Sequence, residues 1–418
     1  MDDYREVKPL YSNRSFVLLM AARFVSQIGD RIHYFALTWY ILNKIGTGSA
    51  VGTIMVFSTL PGVIMGPFTG VLADRFDRRK IMIAMDTARA AIAVTLGYLV
   101  MKDQAPLWTL YLGTGLLAIC SAMYFPTGQA LFPNLVVDSQ LLKANSLNSF
   151  LNSLAMIAGP VLGGILFGLV GTEGAFALNG VTFVFSALCE VLIVAPKLVR
   201  HAEVKMQDFK ENLVEGLKFV YQTKALLAML IFGLVVNFFF FPVQDVIQPI
   251  VIKNILKLSA EEYGKIIAFF PGGLLLSTLL IQVLPQPKKK YKFMLWSMFS
   301  QSMGLILLAL PILPIFMNSI SAERYFYIYC GIALVRGLAF GFTNVPMAVV
   351  NQKLTPDEFR GRVYALQGTF YQGLMPISMG VAGFMADVVP AYAICIFAGL
   401  AMGASCLLMF KVEGIKQI

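Results

Sequence analysis

Gly70-Val71-Leu72-Ala73-Asp74-Arg75-Phe76-Asp77-Arg78-Arg79-Lys80 is the stretch on which the fold turns. An apolar run of about 25 residues precedes it and another follows, each long enough to span a bilayer. A cationic hairpin this short, set between two membrane helices, is a mechanical part as well as an anchor.

The composition agrees. Of 418 residues, 58% are hydrophobic and 13% charged, and the mean hydropathy is +0.73. Soluble domains carry about 25% charged residues. Repeated apolar stretches of about 20 residues imply membrane helices rather than a barrel. The net charge of +10 lies in short loops between spans, which is the positive-inside pattern and not a nucleic-acid surface. Cys120, Cys189, Cys330, Cys395 and Cys406 fall within or beside spans without metal spacing and are read as small packing residues. The first apolar run is too long for a signal peptide's core, so no cleavable signal is expected.

The hydropathy predicts an all-α integral membrane protein of twelve transmembrane helices. The spans are 15–42, 48–73, 80–101, 107–134, 145–170 and 174–195, then 226–252, 262–285, 292–316, 324–351, 363–386 and 390–410. They form two pseudo-symmetric six-helix bundles, 1–195 and 226–418. Arg75, Arg78, Arg79, Lys80, Lys288, Lys289, Lys290, Lys292, Arg360 and Arg362 share one face, which places both termini in the cytoplasm. Residues 196–225 form the longest polar stretch. Phe209, Leu213, Leu217, Phe219 and Val220 give part of a helical period, read as an amphipathic linker on the inner surface.

The opening hairpin resembles the loop 2–3 signature of the major facilitator superfamily, except that Asp77 stands where the pattern has glycine. The remaining carriers of the likeness are Arg23-Phe24-Val25-Ser26-Gln27-Ile28-Gly29-Asp30, Gly48-Ser49-Ala50, Gly159-Pro160-Val161-Leu162-Gly163-Gly164 and Asp357-Glu358-Phe359-Arg360-Gly361-Arg362-Val363. Together they resemble the drug:proton antiporter branch, which includes macrolide efflux pumps and siderophore exporters. The resemblance implies a binding site near the midplane, lined by spans 1, 4, 7 and 10. Span 4 departs from it: Gly113 to Cys120 lacks the arginine that many proton antiporters carry there.

Ionisable groups inside spans mark cavities or partners. Arg23, Gln27, Asp30 and Arg31 lie in one broad stripe of span 1. Asp30 reads either as a protonatable switch or as half of a fixed bridge to Arg31 or Arg23. His33 reads as packing. Arg336, alone in span 10, needs a partner from another helix, with Asp30 and Asp245 as candidates. It reads as the missing cation, as an anchor for an anionic group, or as a cap on backbone carbonyls. In span 7, Pro242 breaks the backbone ladder beside Asn237, Gln244 and Asp245. Most of Phe238 to Phe241 must meet lipid or neighbouring helices. Gln367, Tyr371 and Gln372 face a cavity or bond across helices.

By the resemblance, Gly70, Asp74, Arg75, Arg78, Arg79 and Arg360, with Asp357, form a cytoplasmic latch, Asp74 facing the start of span 11 where the helix dipole favours an anion; the alternative is charge that serves only to set topology. Asp86 and Arg89 read as a structural pair supporting it, and Glu190 as interfacial and able to reach water. Gly159, Pro160, Gly163 and Gly164 form a hinge or a packing groove.

These readings describe a monomeric secondary transporter of the cytoplasmic membrane. The resemblance implies export of an amphiphilic small molecule by alternating access, with protons as the expected coupling ion and no cofactor or metal expected. A lysophospholipid flippase is the alternative, since Ser139 to Asn145 resembles that branch as well. A divalent-metal exporter is disfavoured by only two histidines, and a sensor by the lack of an output domain. No phosphate-binding loop and no nucleophile–base pair point to ATP drive or to an enzyme.

Overall fold

A computed structural model describes residues 9–194, 206–285, 290–317, 320–409 and 412, and of residues 67, 70–75, 206–212 and 290 the backbone alone. Every regular element among the described residues is helical. The long helices are α1 (Arg14–Lys44), α2 (Gly48–Arg75), α3 (Arg78–Met101), α4 (Leu107–Leu131), α5 (Leu141–Val191) and α6 (Met206–Gln222). They continue with α7 (Lys224–Pro242), α8 (Ala260–Val283), α9 (Lys290–Ala309), α10 (Ala322–Leu354), α11 (Asp357–Val388) and α12 (Ala391–Met409).

Nine stretches among the described residues are long and apolar enough to cross a bilayer. One of them holds two expected spans, 5 and 6, joined in α5 at Gly171, whose φ of 68° and ψ of −170° break the helix into two limbs. Polar residues make α1 and α11 less apolar than these nine, although their 31 and 32 residues are ample to span. With them the twelve expected spans are present. Large apolar side chains such as Leu188, Val283, Phe397 and Leu408 stand exposed, as lipid-facing positions of a membrane bundle do.

Local chemistry sets the helix ends. Asp77, at the position where the resembled pattern has glycine, is the N-cap of α3 and accepts from the backbone N–H groups of Arg79 and Lys80. Ser259 and Glu262 form a capping box on α8. After Pro242, α7 continues through π-helical turns at Val243–Ile247 and Val251–Ile255, the widening expected where proline removes a ladder bond.

The chain divides into two compact units, Met1–Ala36 with Ile64–Val204, and Leu37–Val63 with Lys205–Ile418. In the first, α3 packs on α4 and α5. Its core gathers Phe16, Leu19, Met82, Tyr124 and Leu131. In the second, α10 packs on α8 and α9, and α7 on α11 and α12. The end of α1 and the first half of α2 belong to this second unit, although the sequence groups both spans with the first bundle. A glycine seam accounts for it: a Cβ on Gly52 would stand 2.7 Å from Gly383 Cα, so α2 and α11 touch backbone to backbone.

The amphipathic α6 lies against protein. Phe219 stacks on Phe359 at 4.5 Å, Glu215 pairs with Arg362 at 2.9 Å, and Val220 joins Leu226, Leu230, Val363 and Leu366 in a buried cluster. The linker residues 196–205 lie outside the described residues.

Candidate functional site

Each unit buries a guanidinium among aromatic rings. In the first unit it is Arg89, on α3 one turn from Asp86. Arg89 Nη2 donates to Asp86 Oδ1, and Arg89 Nη1 lies 3.6 Å from Asp30 Oδ2 on α1. The guanidinium sits over the rings of Tyr124 on α4 and Phe183 on α5, at 4.1 and 4.4 Å. Such rings stabilise a desolvated cation through their negative faces.

The second limb of α5 closes this site. Tyr124 Oη lies 3.5 Å from Ser186 Oγ, and Ser186 Oγ donates to Glu190 Oε1 at 3.5 Å. Glu190 and Asp86 meet within hydrogen-bonding reach of one another. Asp86, Arg89, Ser186 and Glu190 are all fully buried, whereas the Asp30 side chain keeps 34% of its surface open. The sequence reads Asp86–Arg89 as support for the loop 2–3 latch and Glu190 as reaching water. The structure instead joins all three to Asp30, with Glu190 sealed from solvent.

Other members of the span 1 stripe spread around this site. Arg23 is buried, with Nε and Nη1 unpartnered. Gln27 is half-buried and Arg31 exposed. His33 stacks on Phe176 at 4.1 Å, a packing role. Gly159 and Gly163 of α5 receive α1: added Cβ atoms would stand 2.4 Å from Arg31 Cβ and 3.0 Å from Phe35 Cβ. Pro160 and Gly164 are buried in the same helix.

In the second unit the buried guanidinium is Arg336 on α10. Its Nη1 donates to Gln248 Oε1 at 3.1 Å, and it lies over Phe240 and Phe270 at 5.0 and 5.9 Å. Its Nε and Nη2 are buried without a hydrogen-bond partner. Its hydrogen bond goes to a neutral amide, where the sequence expects an acid. Of the two candidate acids, Asp30 faces Arg89, and Asp245 is near enough to act on Arg336 electrostatically. Phe240 packs on Phe340 at 5.2 Å and Phe241 on the same ring at 6.4 Å, so these phenylalanines chiefly meet one another.

The remaining polar candidates have local partners. Asn237 donates back to Gly233 O at 2.8 Å, and Gln367 exchanges hydrogen bonds with Asn351 at 3.2 and 3.4 Å. Gln244 Oε1 is buried and unpartnered. The Tyr371 hydroxyl fills the space beside Gly233, and Gln372 is exposed.

Of the latch set, the side chains of Gly70, Asp74 and Arg75 lie outside the described residues. Arg78 Nη1 donates to Ala130 O at 2.8 Å near the end of α4. Arg79 Nε donates to Glu190 O at 2.9 Å, and its Nη2 to Val191 O, at the end of α5. Cations on terminal carbonyls complement the helix dipole. Arg360 pairs with Asp357 at 2.7 Å within α11.

Sequence reasoning gave no role to Tyr124, Ser186 or Gln248. Ser186 and Glu190 are four residues apart, a helical spacing that signals one face, but nothing in the pattern announces Gln248 as the partner of Arg336.

The comparisons with known proteins agree with this architecture. Macrolide efflux protein A of Streptococcus pyogenes is 26% identical over 373 residues, covering 89% of each chain. Multidrug efflux pump Tap of Mycolicibacterium fortuitum is 23% identical over 392 residues, covering 90% of each. Among solved structures, a bacterial homologue of the iron transporter ferroportin in an inward-facing state has a TM-score of 0.76 at 15% identity, covering 97% of this chain and 100% of that one. The nucleoside transporter NupG has a TM-score of 0.74 at 12% identity, covering 95% and 99%. At those identities the structures speak to the fold alone. The model of the Major Facilitator Superfamily matches residues 19–379. The chain therefore belongs to the Major Facilitator Superfamily, as a multi-pass membrane transporter and not an enzyme.

Proposed function

We propose that the protein exports an amphiphilic small molecule of the macrolide class from the cytoplasm, exchanging it for protons by alternating access. The observation that carries this reading is likeness to macrolide and multidrug efflux proteins along about nine-tenths of the chain. The buried Arg336 supports it. A guanidinium with two unpartnered nitrogens among phenylalanine rings suits a solute that is apolar with a few carbonyl or anionic oxygens. Asp30, half-open beside Arg89, suits a carboxylate that takes and gives a proton.

In this reading the protein works as a monomer in the cytoplasmic membrane with both termini inside. Asp74 and its neighbouring arginines latch the cytoplasmic side, and Gln27, Asp30, Arg31, Asn237, Gln244, Asp245, Arg336, Gln367 and Tyr371 serve coupling or substrate. The test is accumulation of a radiolabelled macrolide in bacteria lacking their own efflux pumps, with and without the transporter and a protonophore. Lower accumulation that the protonophore restores is expected. Equal accumulation with and without the transporter removes the macrolide reading, and protonophore-insensitive export removes proton coupling.

A further inference from the structure

We propose that Asp86 and Glu190 share one exchangeable proton beside Arg89, forming a proton-binding site buried in the first unit. The inference rests on the proton-coupled reading and gives the coupling ion a seat.

The carboxyls of Asp86, on α3, and Glu190, on the second limb of α5, are in hydrogen-bonding reach, and both residues are fully buried. Two ionised carboxylates are acceptors only, so no hydrogen bond can form between them. In that state Asp86 Oδ2 and Glu190 Oε2 are buried without a hydrogen-bond partner. One proton repairs both defects: the protonated carboxyl donates, and its neighbour accepts. Like charges this close do not both ionise in a dry site.

The charges around the pair point the same way. From α3 comes Arg89, which among the described residues is the cation acting on both Asp86 and Glu190. Asp30, from α1, draws on the same guanidinium at 3.6 Å. Arg31 acts on Asp30 from an exposed position, and Arg23 acts on Tyr124. Tyr124 and Cys120 face the pair from α4, and Ser186 bridges Tyr124 to Glu190. Arg79 is spent on the backbone carbonyls of Glu190 and Val191. Two carboxyls in contact therefore divide one guanidinium with a third, and a single proton brings the pair into balance with it.

The step is a proton transfer. The O–H bond of the shared proton breaks and the proton passes to water. Arg89 then faces two ionised carboxylates on that side, and its hold on Asp30 weakens. Reprotonation restores the pull towards Asp30. Arg89 thereby links a sealed proton site to a half-open carboxylate in the same unit.

Infrared spectroscopy of the full-length protein in lipid at neutral pH tests this directly through the carbonyl stretch of a protonated carboxyl. The expected result is one such band in the wild type, lost on titration to alkaline pH. It should be lost in both Glu190→Gln and Asp86→Asn, because each leaves a single carboxylate free to pair with Arg89. Absence of the band in the wild type overturns the proposal whatever the variants do. Persistence in both variants places the proton elsewhere, and loss in only one assigns it to that residue alone; either overturns the sharing. Failure of macrolide export would leave the band untouched, so the two readings fail separately.

Discussion

Asp387, near the end of α11, caps the start of α2: its Oδ1 accepts from Gly48 N–H at 2.5 Å and its Oδ2 from Ser49 N–H at 2.9 Å. The cap sits at one end of the glycine seam, where a Cβ on Gly48 would meet Gly383 O at 2.7 Å. At the same loop, Asn254 Nδ2 donates to Gly46 O at 2.9 Å, so α11 and the end of α7 both hold the turn between α1 and α2. An anion on the orphan N–H groups of a helix start is favourable by hydrogen bonding and by the helix dipole.

Asp387→Ala should weaken this cap by about 1 kcal/mol, the usual effect of a lost N-cap. Faster hydrogen exchange at the amides of residues 48–52, with exchange elsewhere unchanged, is the readout. Burial pushes the Asp387 carboxyl up, but the hydrogen bonds from Ser49 and Gly48 outweigh it and hold the group below the ordinary carboxylate range. The sign follows: the protection is complete above the unfolded value near about 3.9 and fades only as pH falls through the lower folded value. Loss of protection already between neutral pH and that value would contradict the assignment.

The seam itself makes a steric prediction. Gly52→Ala and Gly383→Ala would each set a methyl against backbone, at 2.7 and 2.6 Å, and backbone cannot rotate away. Both variants should lower the melting temperature in detergent and reduce export. Gly62→Ala, on the same helix with nothing within 4 Å, is the matched control and should do neither. Equal melting of all three would mean that the close approach carries no energy.

Arg336→Gln removes a charge whose Nε and Nη2 lack partners while keeping an amide that can still meet Gln248. If those nitrogens receive an oxygen of the substrate, the loss of a charged hydrogen bond, about 1.5–3 kcal/mol, raises the KM for export by roughly tenfold to a hundredfold. A purely structural guanidinium would lower the melting temperature and leave KM alone. Measuring both on the same preparation separates the two.

The fold was legible because a membrane span announces itself locally, by length and hydropathy, and the hairpin at residues 70–80 added a local charge pattern. The partners of buried charges were not, because they are set by which helices touch. Glu190 looked interfacial since it lies at the end of an apolar run. What seals it is α3 arriving with Asp86, and Arg79 closing the helix end above it. Arg336 called for an acid by charge logic, yet its hydrogen bond goes to Gln248, a neutral residue 88 positions away that carries no signal of its own. The seam was half-visible: Gly48 and Gly52 have the four-residue spacing of helix contacts in membranes, but Gly383 as their counterpart follows only from the folded chain.

Arg79 offers a test of how the loop 2–3 cations act within their own unit. Its guanidinium reaches two carbonyls, Glu190 O and Val191 O, at the C-terminus of α5. Arg79→Gln should destabilise the protein by about 1 kcal/mol, within the range for a cation at a helix end, and Arg79→Lys by less, since an ammonium keeps the charge but not the fork. The penalty should persist at high salt for the part due to hydrogen bonding and shrink for the part due to charge. If instead Arg79→Gln leaves stability untouched and alters only transport, the arginine serves the latch between conformations and its seat on α5 is incidental.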